Sequence, residues 1–347
     1  MRRATGSLTR RLPTRPRLQV FSHRSSMDEG IEVERSHAGQ SSAWVCPSTQ
    51  ALFEEGQRIP GYTWFDFLHG YFYGRWPYLY IGVGTGEHRL AKVIGWVSAA
   101  IRLLAPVRRD PEKHVSSTAD GYHGKVVPLQ AARSLVRIEK DLRLTDLEQV
   151  IPFERARDII LKNPQHIVAL DCPCRSSRAS PCLPLDVCLI VGEPFAGFVH
   201  EHHPRRSRRI TPKEADQILT EEHARGHVHH AFFKDAMLGR FYAICNCCPC
   251  CCGAMQAMRN GTPMLISSGY VSHVDEDLCE GCETCEGVCP FEALTVEDGT
   301  AMIDESRCMG CGICVDGCPQ GALSLMLDRS KPAPLEIETL ISAGKLL

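Results

Sequence analysis

Residues 279–290 read CEGCETCEGVCP and residues 308–319 read CMGCGICVDGCP, and these two stretches decide how the C-terminal part of the chain folds. Both follow the spacing C-x2-C-x2-C-x3-C-P, and the second copy starts 29 residues after the first. Aligned over 275–297 and 304–326, ten of 23 positions are identical, including all four cysteines and the proline. This agreement indicates an internal repeat in which both copies do the same chemistry.

The spacing suits thiolate ligation of two [4Fe–4S] clusters, each of which takes four cysteines. In this arrangement the first three cysteines of a copy bind one cluster, and the fourth, which precedes a proline, binds the other. The predicted ligands of cluster I are Cys279, Cys282, Cys285 and Cys318. Those of cluster II are Cys308, Cys311, Cys314 and Cys289. A zinc-binding or purely scaffolding module is the alternative interpretation.

The repeat resembles the bacterial dicluster ferredoxins over residues 273–327. The resemblance implies an α+β ferredoxin-like fold with two clusters close enough for one-electron transfer between them. One departure from internal symmetry is Glu283, which stands where the second copy has Gly312. A carboxylate that faced cluster I would make that cluster harder to reduce, because nearby negative charge lowers its potential.

Cysteine usage in the whole chain points to metal ligation. The chain has 347 residues and 19 cysteines, and 18 of these lie between Cys172 and Cys318. An odd number of cysteines in CxC and CxxC spacings is not the pattern of a secreted disulfide framework. It indicates thiolate ligation in a reducing compartment, so we expect a cytoplasmic protein. Cys46 stands alone and is expected to be structural.

Ten cysteines lie upstream of the repeat, in two groups. The first group is Cys172, Cys174, Cys182 and Cys188, and the second is Cys245, Cys247, Cys248, Cys250, Cys251 and Cys252. Neighbouring side chains point in different directions, so one metal ion cannot bind all six thiols of the second group. We therefore expect a subset of the ten to form a metal site that draws ligands from both groups.

Three interpretations of this upstream site stay open. The first is one or two further Fe–S clusters, and the second is a structural zinc site made by Cys172, Cys174 and two thiols of the second group. The third is a thiol redox site. It draws on Cys251-Cys252-Gly253, which resembles the CCG modules of heterodisulfide reductases.

From about Tyr122 onwards the chain resembles a family of ferredoxin-fused iron–sulfur proteins from anaerobic bacteria. The resemblance rests on CPCR at 172–175, RGHVHHAFFKDAM at 225–237, RFYAICNCCPCCCG at 240–253 and SSGY at 267–270. It implies an iron–sulfur cofactor and leaves the substrate open. Among the histidines between the two cysteine groups, His227 is the one we expect to act as a ligand, since it leads into an apolar run towards Cys245.

Composition divides the chain into five parts. They are a basic, disordered segment (1–45), a mixed α/β region with an aromatic cluster (46–165), a Cys/His-rich metal-binding region (166–272), the ferredoxin domain (273–327) and a tail (328–347). We therefore expect an α+β fold class, with the ferredoxin-like dicluster domain appended to a larger mixed α/β Cys-rich domain.

Local patterns predict several elements upstream of the repeat. A helix is expected from near Pro152 to residue 163, where Pro164 follows, and strands are expected at 166–170 and 187–192. Thr211 is the expected N-cap of a helix that ends near Arg225.

Residues 62–80 hold ten of the 24 aromatic side chains, for which core packing is favoured over a partner interface or a membrane-surface belt. The apolar stretch at 91–105 predicts a buried or interfacial helix.

Residues 1–26 hold seven arginines and no acid. This suggests a disordered tail or an extended start with Met27 as the initiator, and a transit peptide also fits the composition.

The net charge of −2 hides a strong asymmetry. Residues 273–327 carry 12 acidic side chains and one basic one, Arg307, a net charge of −11, so the remainder of the chain carries +9. Such an acidic domain is steered towards a redox partner with a basic docking surface and away from nucleic acid. No stretch of 18 apolar residues occurs, so no transmembrane span is expected.

The sequence thus predicts an iron–sulfur electron-transfer protein, in which electrons pass between the acidic domain and the upstream centre. One alternative is an oxidoreductase, or a subunit of one, with a substrate site at the 172–252 centre. Another is a non-redox scaffold or regulator stabilised by clusters or zinc. The sequence has no nucleotide or flavin fingerprint, which argues against a stand-alone NAD(P)H-linked enzyme, and no catalytic residue can be assigned.

Overall fold

The computed structural model describes residues 45–91, 93 and 118–342. Two expectations lie outside these described residues. They are the disordered segment at 1–45, of which only residue 45 is described, and most of the helix at 91–105. Within the described residues, no helix is both long and apolar enough to cross a membrane.

The described residues begin with three helices: α1 at Pro47–Gln57, α2 at Trp64–Arg75 and α3 at Pro77–Gly84. Both α1 and α3 have a proline in the first turn, where a missing N–H costs nothing. A capping box begins α2, since the Thr63 hydroxyl accepts from the Asp66 N–H while the Asp66 carboxylate accepts from the Thr63 N–H.

An eight-stranded sheet forms the centre of the molecule. Its strands are β1 Tyr122–Val127, β2 Leu142–Leu144, β3 Ile159–Leu170, β4 Cys188–Glu193, β5 Ser207–Ile210, β6 Val228–Lys234, β7 Arg240–Cys247 and β8 Leu265–Ile266. The order is β2-β3-β4-β7-β6-β1-β8, and β5 also pairs with β3. The pairs are antiparallel except for β1 and β8, which run parallel. The sheet therefore joins strands from both sides of residue 165.

Short helices cover the sheet. They are α4 Thr118–Gly121, α5 Leu129–Val136, α6 Pro173–Ser176, α7 Phe195–His202, α8 Pro212–Ala224, a 3-10 turn at Asp235–Met237 and α9 Gly253–Arg259. The Thr211 side chain caps α8, and β4 and the end of β3 cover the two strands expected near residues 170 and 190. These three predictions are confirmed.

Strand alternation sends successive side chains to opposite faces of the sheet. Leu189 and Val191 of β4 enter one apolar core, whereas Cys188 and Ile190 enter another. The second of these cores also contains Cys172 and Cys247. One face of the sheet is thus an ordinary aliphatic core, and the other carries thiols.

The C-terminal domain contains β9 Tyr270–Val274, α10 Thr284–Val288, β10 Leu294–Glu297, β11 Thr300–Ile303, α11 Ile313–Gly317 and β12 Leu323–Leu327. Antiparallel pairs form between β9 and β12 and between β10 and β11. A final helix, α12, covers Ile337–Ser342. Mixed helices and sheets together with this domain confirm the α+β fold class.

The helix expected between Pro152 and residue 163 is wrong. Ala156 and Asn163 have φ of 55° and 45°, which no helix accommodates, and β3 begins at Ile159. Ile159 pairs with Leu144 of β2, so strand pairing outweighs the apolar spacing that suggested a helix. The strand passes Pro164 at a register shift.

The aromatic stretch at 62–80 forms α2 and α3 and is only partly buried. The expectation of core packing is confirmed for Phe67 and Tyr73, which are buried. It is wrong for four side chains that are 41–78% exposed, namely Trp64, Phe65, Phe72 and Trp76.

A buried lysine ties the tail to the sheet. Lys125 on β1 is fully buried, and its ammonium donates to the carbonyls of Ala333, at 2.8 Å, and Pro332, at 3.3 Å. Burial lowers the pKa of Lys125 to about 7.

This pKa predicts a pH-dependent stability. Between about pH 7 and pH 10, the unfolded chain keeps a proton that folded Lys125 has released, so the free energy of unfolding rises with pH. Lys125→Met should reduce the slope of the free energy of unfolding against pH by roughly 1.4 kcal/mol per pH unit. Urea unfolding at several pH values measures this slope, with exposed Lys213→Met as the control. Equal slopes for wild type and Lys125→Met would contradict the lowered pKa of Lys125.

Candidate metal centres

The four cysteines predicted to bind cluster I line one cavity of the C-terminal domain. They are Cys279, Cys282, Cys285 and Cys318. Cys285 lies in α10 and is buried, whereas Cys282 is exposed at the domain surface. Glu283 also lines this cavity and has φ of 61°, in the left-handed region where its counterpart Gly312 has φ of 84°. The carboxylate that departs from the repeat is therefore beside the cluster I cysteines.

A second cavity is lined by the other four cysteines of the repeat, namely Cys289, Cys308, Cys311 and Cys314. The last three of these are buried. Backbone N–H groups of Ser272 and Ala293 point at the sulfurs of Cys308 and Cys289, at 3.4 and 3.3 Å. Such N–H···S contacts stabilise a cluster bound at thiolates and tune its potential. The cluster II position is thus more enclosed than the cluster I position.

The upstream cysteines are brought together by the ends of three strands. Cys172 lies two residues after the end of β3, Cys188 begins β4, and Cys245 and Cys247 lie in the last three residues of β7. Cys188 and Cys245 are direct partners across the antiparallel β4–β7 pair. Cys174 in α6 and Cys252 before α9 approach from the adjoining loops. We call these six residues the thiol chamber: Cys172, Cys174, Cys188, Cys245, Cys247 and Cys252.

The thiols of the chamber contact one another. Cys172 interacts with the thiols of Cys174 and Cys188, and these hydrogen bonds lower the pKa of Cys172 well below its usual range. Cys188 also contacts Cys245, and Cys247 contacts Cys252. Four sulfurs therefore form a chain in the order Cys174, Cys172, Cys188 and Cys245, and Cys247 and Cys252 form a separate pair. All six residues line one cavity.

Apart from Arg175, Asn246 and further cysteines, the rest of the chamber wall is apolar and aromatic. The cavity measures about 60 Å³ and is lined by side chains that include Tyr73, Tyr122 and Tyr242. The hydroxyls of Tyr73 and Tyr242 are 2.7 Å apart, and burial raises the pKa of both phenols far above the usual value. Sulfur donors and weakly acidic tyrosines thus line the same cavity.

The remaining four upstream cysteines form a separate, tighter group. We call it the four-thiol group: Cys182, Cys248, Cys250 and Cys251. All four sulfurs lie within 4.8 Å of one another. Cys248 and Cys251 are buried and also border the chamber cavity, whereas Cys250 is exposed.

Both groups draw on both cysteine segments of the sequence. The sequence led us to expect a site of this mixed origin, and the ten cysteines separate into two such sites. Cys172 and Cys174, expected in a zinc site with two later thiols, lie in the chamber and not in the four-thiol group. The exposed Cys46 lies outside both groups, just before α1.

A buried ion pair supports the chamber from behind. Arg175, next to Cys174, is 1% exposed and donates to the Glu222 carboxylate at 2.6 Å and to the Asn246 carbonyl at 2.9 Å. Asn246 lies between Cys245 and Cys247, so the arginine fixes the strand that presents both thiols. Burial alone would raise the pKa of Glu222, but hydrogen bonds from His227 and Arg175 lower it overall.

His227 faces this ion pair rather than the thiols. Its Nδ1 is 2.7 Å from the Glu222 carboxylate and 3.1 Å from Arg175. His227 is not among the residues that line the chamber cavity. Its contact with Glu222 uses Nδ1 and leaves Nε2 outside this pair, so the ligand role expected for His227 stays a prediction.

Sequence reasoning missed the chamber's supporting residues. Arg175 is part of the CPCR segment, so its position beside Cys174 was a usable signal. The tyrosines Tyr122 and Tyr242 lie at the edges of the segments that carry the family resemblance. Nothing in the pattern of α8 distinguishes Glu222 from its exposed neighbours, since only packing shows that it is buried.

The tight turn at Gly310 predicts a sensitive position in the cluster II loop. Gly310 has φ of 63°, and a Cβ there would lie 2.2 Å from the Tyr270 carbonyl oxygen. Gly310→Ala should cost at least about 1–2 kcal/mol from the left-handed backbone alone, and more from the clash. An anaerobic thermal melt followed by cluster absorbance should show earlier loss. Gly287→Ala, where an added Cβ meets nothing within 4 Å, is the control, and equal melting of both variants would refute this reading.

The buried ion pair predicts a large effect of losing one partner. Arg175→Met leaves the Glu222 carboxylate buried without its cation, which should lower the free energy of unfolding by about 3–5 kcal/mol. Arg225→Met removes a 41% exposed arginine from the same carboxylate and should cost less than about 1 kcal/mol. Anaerobic denaturant titrations compare the two. Similar midpoints would show that Arg175 does not neutralise Glu222.

Comparison with known proteins bears on the C-terminal domain. Residues 278–323 match a family model described as a 4Fe-4S dicluster domain. No curated protein matches the chain. The matched residues include the cysteines of both repeat copies and do not extend to the upstream cysteines. The chain therefore carries a ferredoxin-type iron–sulfur domain near its C-terminus.

Proposed function

We propose that the protein transfers electrons between two [4Fe–4S] clusters in the ferredoxin domain and a further metal–sulfur centre in the thiol chamber. When bound, such clusters supply one-electron oxidation and reduction. The residues of this chain would hold the clusters, exclude water from them and set the order in which electrons pass between them. We take the predicted ligand sets of clusters I and II as part of this proposal.

The observation that carries the proposal is a shared core. Met309, Cys311 and Ile313 of the cluster II loop pack into the same apolar core as Cys188 and Cys247 of the chamber. Cys279, Cys285 and Cys318 of the cluster I set belong to a smaller core within the C-terminal domain, which Cys289 and Cys314 of the cluster II set also join. Among the buried core residues that the structure describes, the cluster II loop is thus the part of the repeat that reaches both cores. Electron transfer falls off with distance, so cluster II is the natural neighbour of the chamber. Cluster I is then the outer relay.

A line of hydrogen bonds connects the ferredoxin domain to the thiol chamber. Asp316 in α11 contacts His223 at 2.7 Å, and His223 contacts His229 at 3.2 Å. His229 in turn contacts the Asn246 side chain at 2.6 Å. Asn246 is flanked by two chamber cysteines, so the line connects the helix between Cys314 and Cys318 to the chamber. It holds the ferredoxin domain in a fixed position against the sheet.

Charge supports a docking site for the redox partner beside cluster I. Cys282 is exposed, and Glu280, Glu283 and Thr284 surround it in the cluster I cavity. The whole domain carries a net charge of −11, which favours a partner with a basic surface. Electrons would enter or leave at cluster I, pass through cluster II and reach the chamber.

The chamber residues fit a metal–sulfur cluster. Six soft thiol donors in an apolar cavity favour iron–sulfur chemistry over hard cations that need oxygen ligands. Ionised thiols at this depth need compensating positive charge. The buried cation beside them is Arg175, whose charge is already paired with Glu222. A second buried cation, Lys234, lies over the rings of Tyr73 and Tyr122 in the same wall. Two cations do not balance six thiolates, so bound metal would supply the rest of the compensation.

One observation favours a second candidate, an oxidoreductase with its substrate site at the chamber. The paired hydroxyls of Tyr73 and Tyr242 form part of a wall that a carrier alone would not need. Such hydroxyls could donate protons to a small, apolar substrate reduced at the cluster. A change in the chamber's spectrum on adding a substrate would favour this enzyme, and its absence across candidate substrates would favour the carrier.

Iron counting tests the proposed third centre. Protein purified without oxygen should hold about 12 iron atoms or more, since two [4Fe–4S] clusters account for about eight. Cys247→Ser should remove iron equivalent to one cluster and leave the ferredoxin spectrum intact, whereas Cys46→Ser should change neither. About eight iron atoms in wild type and in Cys247→Ser alike would sink the third centre.

Charge steering tests the proposed entry point. Reduction by a cationic one-electron mediator, such as a viologen radical, should slow as ionic strength rises from 0.01 to about 0.2 M, because salt screens the acidic domain. An anionic mediator should show the opposite trend in stopped-flow measurements. If both mediators respond alike to salt, the acidic surface is not where electrons enter.

A further inference from the structure

We propose that Cys182, Cys248, Cys250 and Cys251 bind a single zinc ion in a site separate from the thiol chamber. This site is independent of the electron-transfer proposal, because its evidence lies in the four-thiol group alone. It differs from the zinc site expected from the sequence, which used Cys172 and Cys174.

The spacing of the sulfurs carries the assignment. A tetrahedral zinc with Zn–S bonds of about 2.3 Å places its thiolates about 3.8 Å apart. The four sulfurs here all lie within 4.8 Å of one another, with Cys182 and Cys250 at 3.1 Å and Cys250 and Cys251 at 3.6 Å. Small movements of exposed side chains bring these distances to the tetrahedral value.

The other cysteines provide an internal comparison. In the described part of the chain, the four-thiol group is the one set of possible metal ligands that is this tight. The cysteines predicted to hold clusters I and II lie farther apart, as expected when each thiolate binds a different iron of a cube. The chamber sulfurs contact one another in a chain and a pair, but within the described residues they form no such four-sulfur group. The two upstream sites therefore suit different metals, a cluster in the chamber and one ion in the four-thiol group.

The loop that carries three of the thiols is held from outside. Arg259 donates to the Pro249 carbonyl at 2.9 Å, Gln256 to the Cys250 carbonyl at 2.9 Å and Arg178 to the Cys251 carbonyl at 3.2 Å. These bonds fix the backbone from which the sulfurs project. Arg259 also supplies positive charge beside a site that four thiolates and one Zn²⁺ would leave at a net charge of −2, whereas the charge of Arg178 is already paired with Glu87.

The position of the site indicates what zinc would do. It would join the loop that carries Cys182 to the loop that follows β7. Cys248 and Cys251 also border the chamber cavity, so a metal that fixes them would stabilise the chamber wall. Zinc has no redox chemistry and would not accept electrons intended for the clusters.

Metal analysis of the full chain tests the site. Protein produced with zinc and iron supplied and purified without oxygen should hold about one zinc per chain. Cys182→Ser and Cys250→Ser should each lower zinc to about a tenth of that value and leave iron unchanged. Neither side chain is in the buried core, and circular dichroism checks folding. Cys46→Ser is the matched control and should keep its zinc.

The contrary outcomes are distinct from a failure of the electron-transfer proposal. Loss of iron in Cys182→Ser or Cys250→Ser would assign the four thiols to a cluster and overturn the zinc site. A mass decrease of about 2 Da with no zinc would overturn it in favour of a disulfide. In the wild-type protein, zinc-edge absorption should find four sulfur neighbours at about 2.3 Å, and nitrogen or oxygen neighbours would contradict the assignment.

Discussion

The architecture depends on keeping many ionisable sulfurs close together inside an apolar core. A buried charge without a partner is strongly disfavoured, and the pKa values of Cys174, Cys188 and Cys247 are raised, so most of the chamber thiols stay neutral unless metal is bound. Strand alternation makes this possible. Cys188 and Cys245 are direct partners and project from the same face of the sheet, whereas the opposite face packs into an apolar core. Arg175 cannot serve all of these thiols, since Glu222 already takes its charge. The chamber is therefore the feature around which the remaining structure is arranged.

In the proposed function, two kinds of centre on one sheet would divide the work. The cluster II loop shares its core with the chamber, and Cys282 of the cluster I set is exposed. This order would make the ferredoxin domain a relay with one outer and one inner position. The four-thiol group would act as a structural clamp at the edge of the chamber. The tyrosine wall is the part of the chamber that a relay alone leaves unexplained.

The C-terminal domain was predictable because its information is local. The spacing around Cys279 and Cys308 carries its own chemistry, and the structure places these cysteines in two cavities with no help from distant residues. The N-cap of α8 at Thr211 was predictable for the same reason. The division of the upstream cysteines was not, because it depends on how β4 and β7 pair. The helix expected after Pro152 failed because pairing between β2 and β3 outweighed local spacing.

Electron paramagnetic resonance of the fully reduced protein tests the central claim most directly. If a third paramagnetic centre lies in the chamber beside cluster II, wild type should show magnetic interaction beyond that of two ferredoxin clusters. Cys247→Ser should then restore a simple two-cluster spectrum. Identical spectra for the reduced wild type and Cys247→Ser, each with the signal of two clusters alone, would contradict the account.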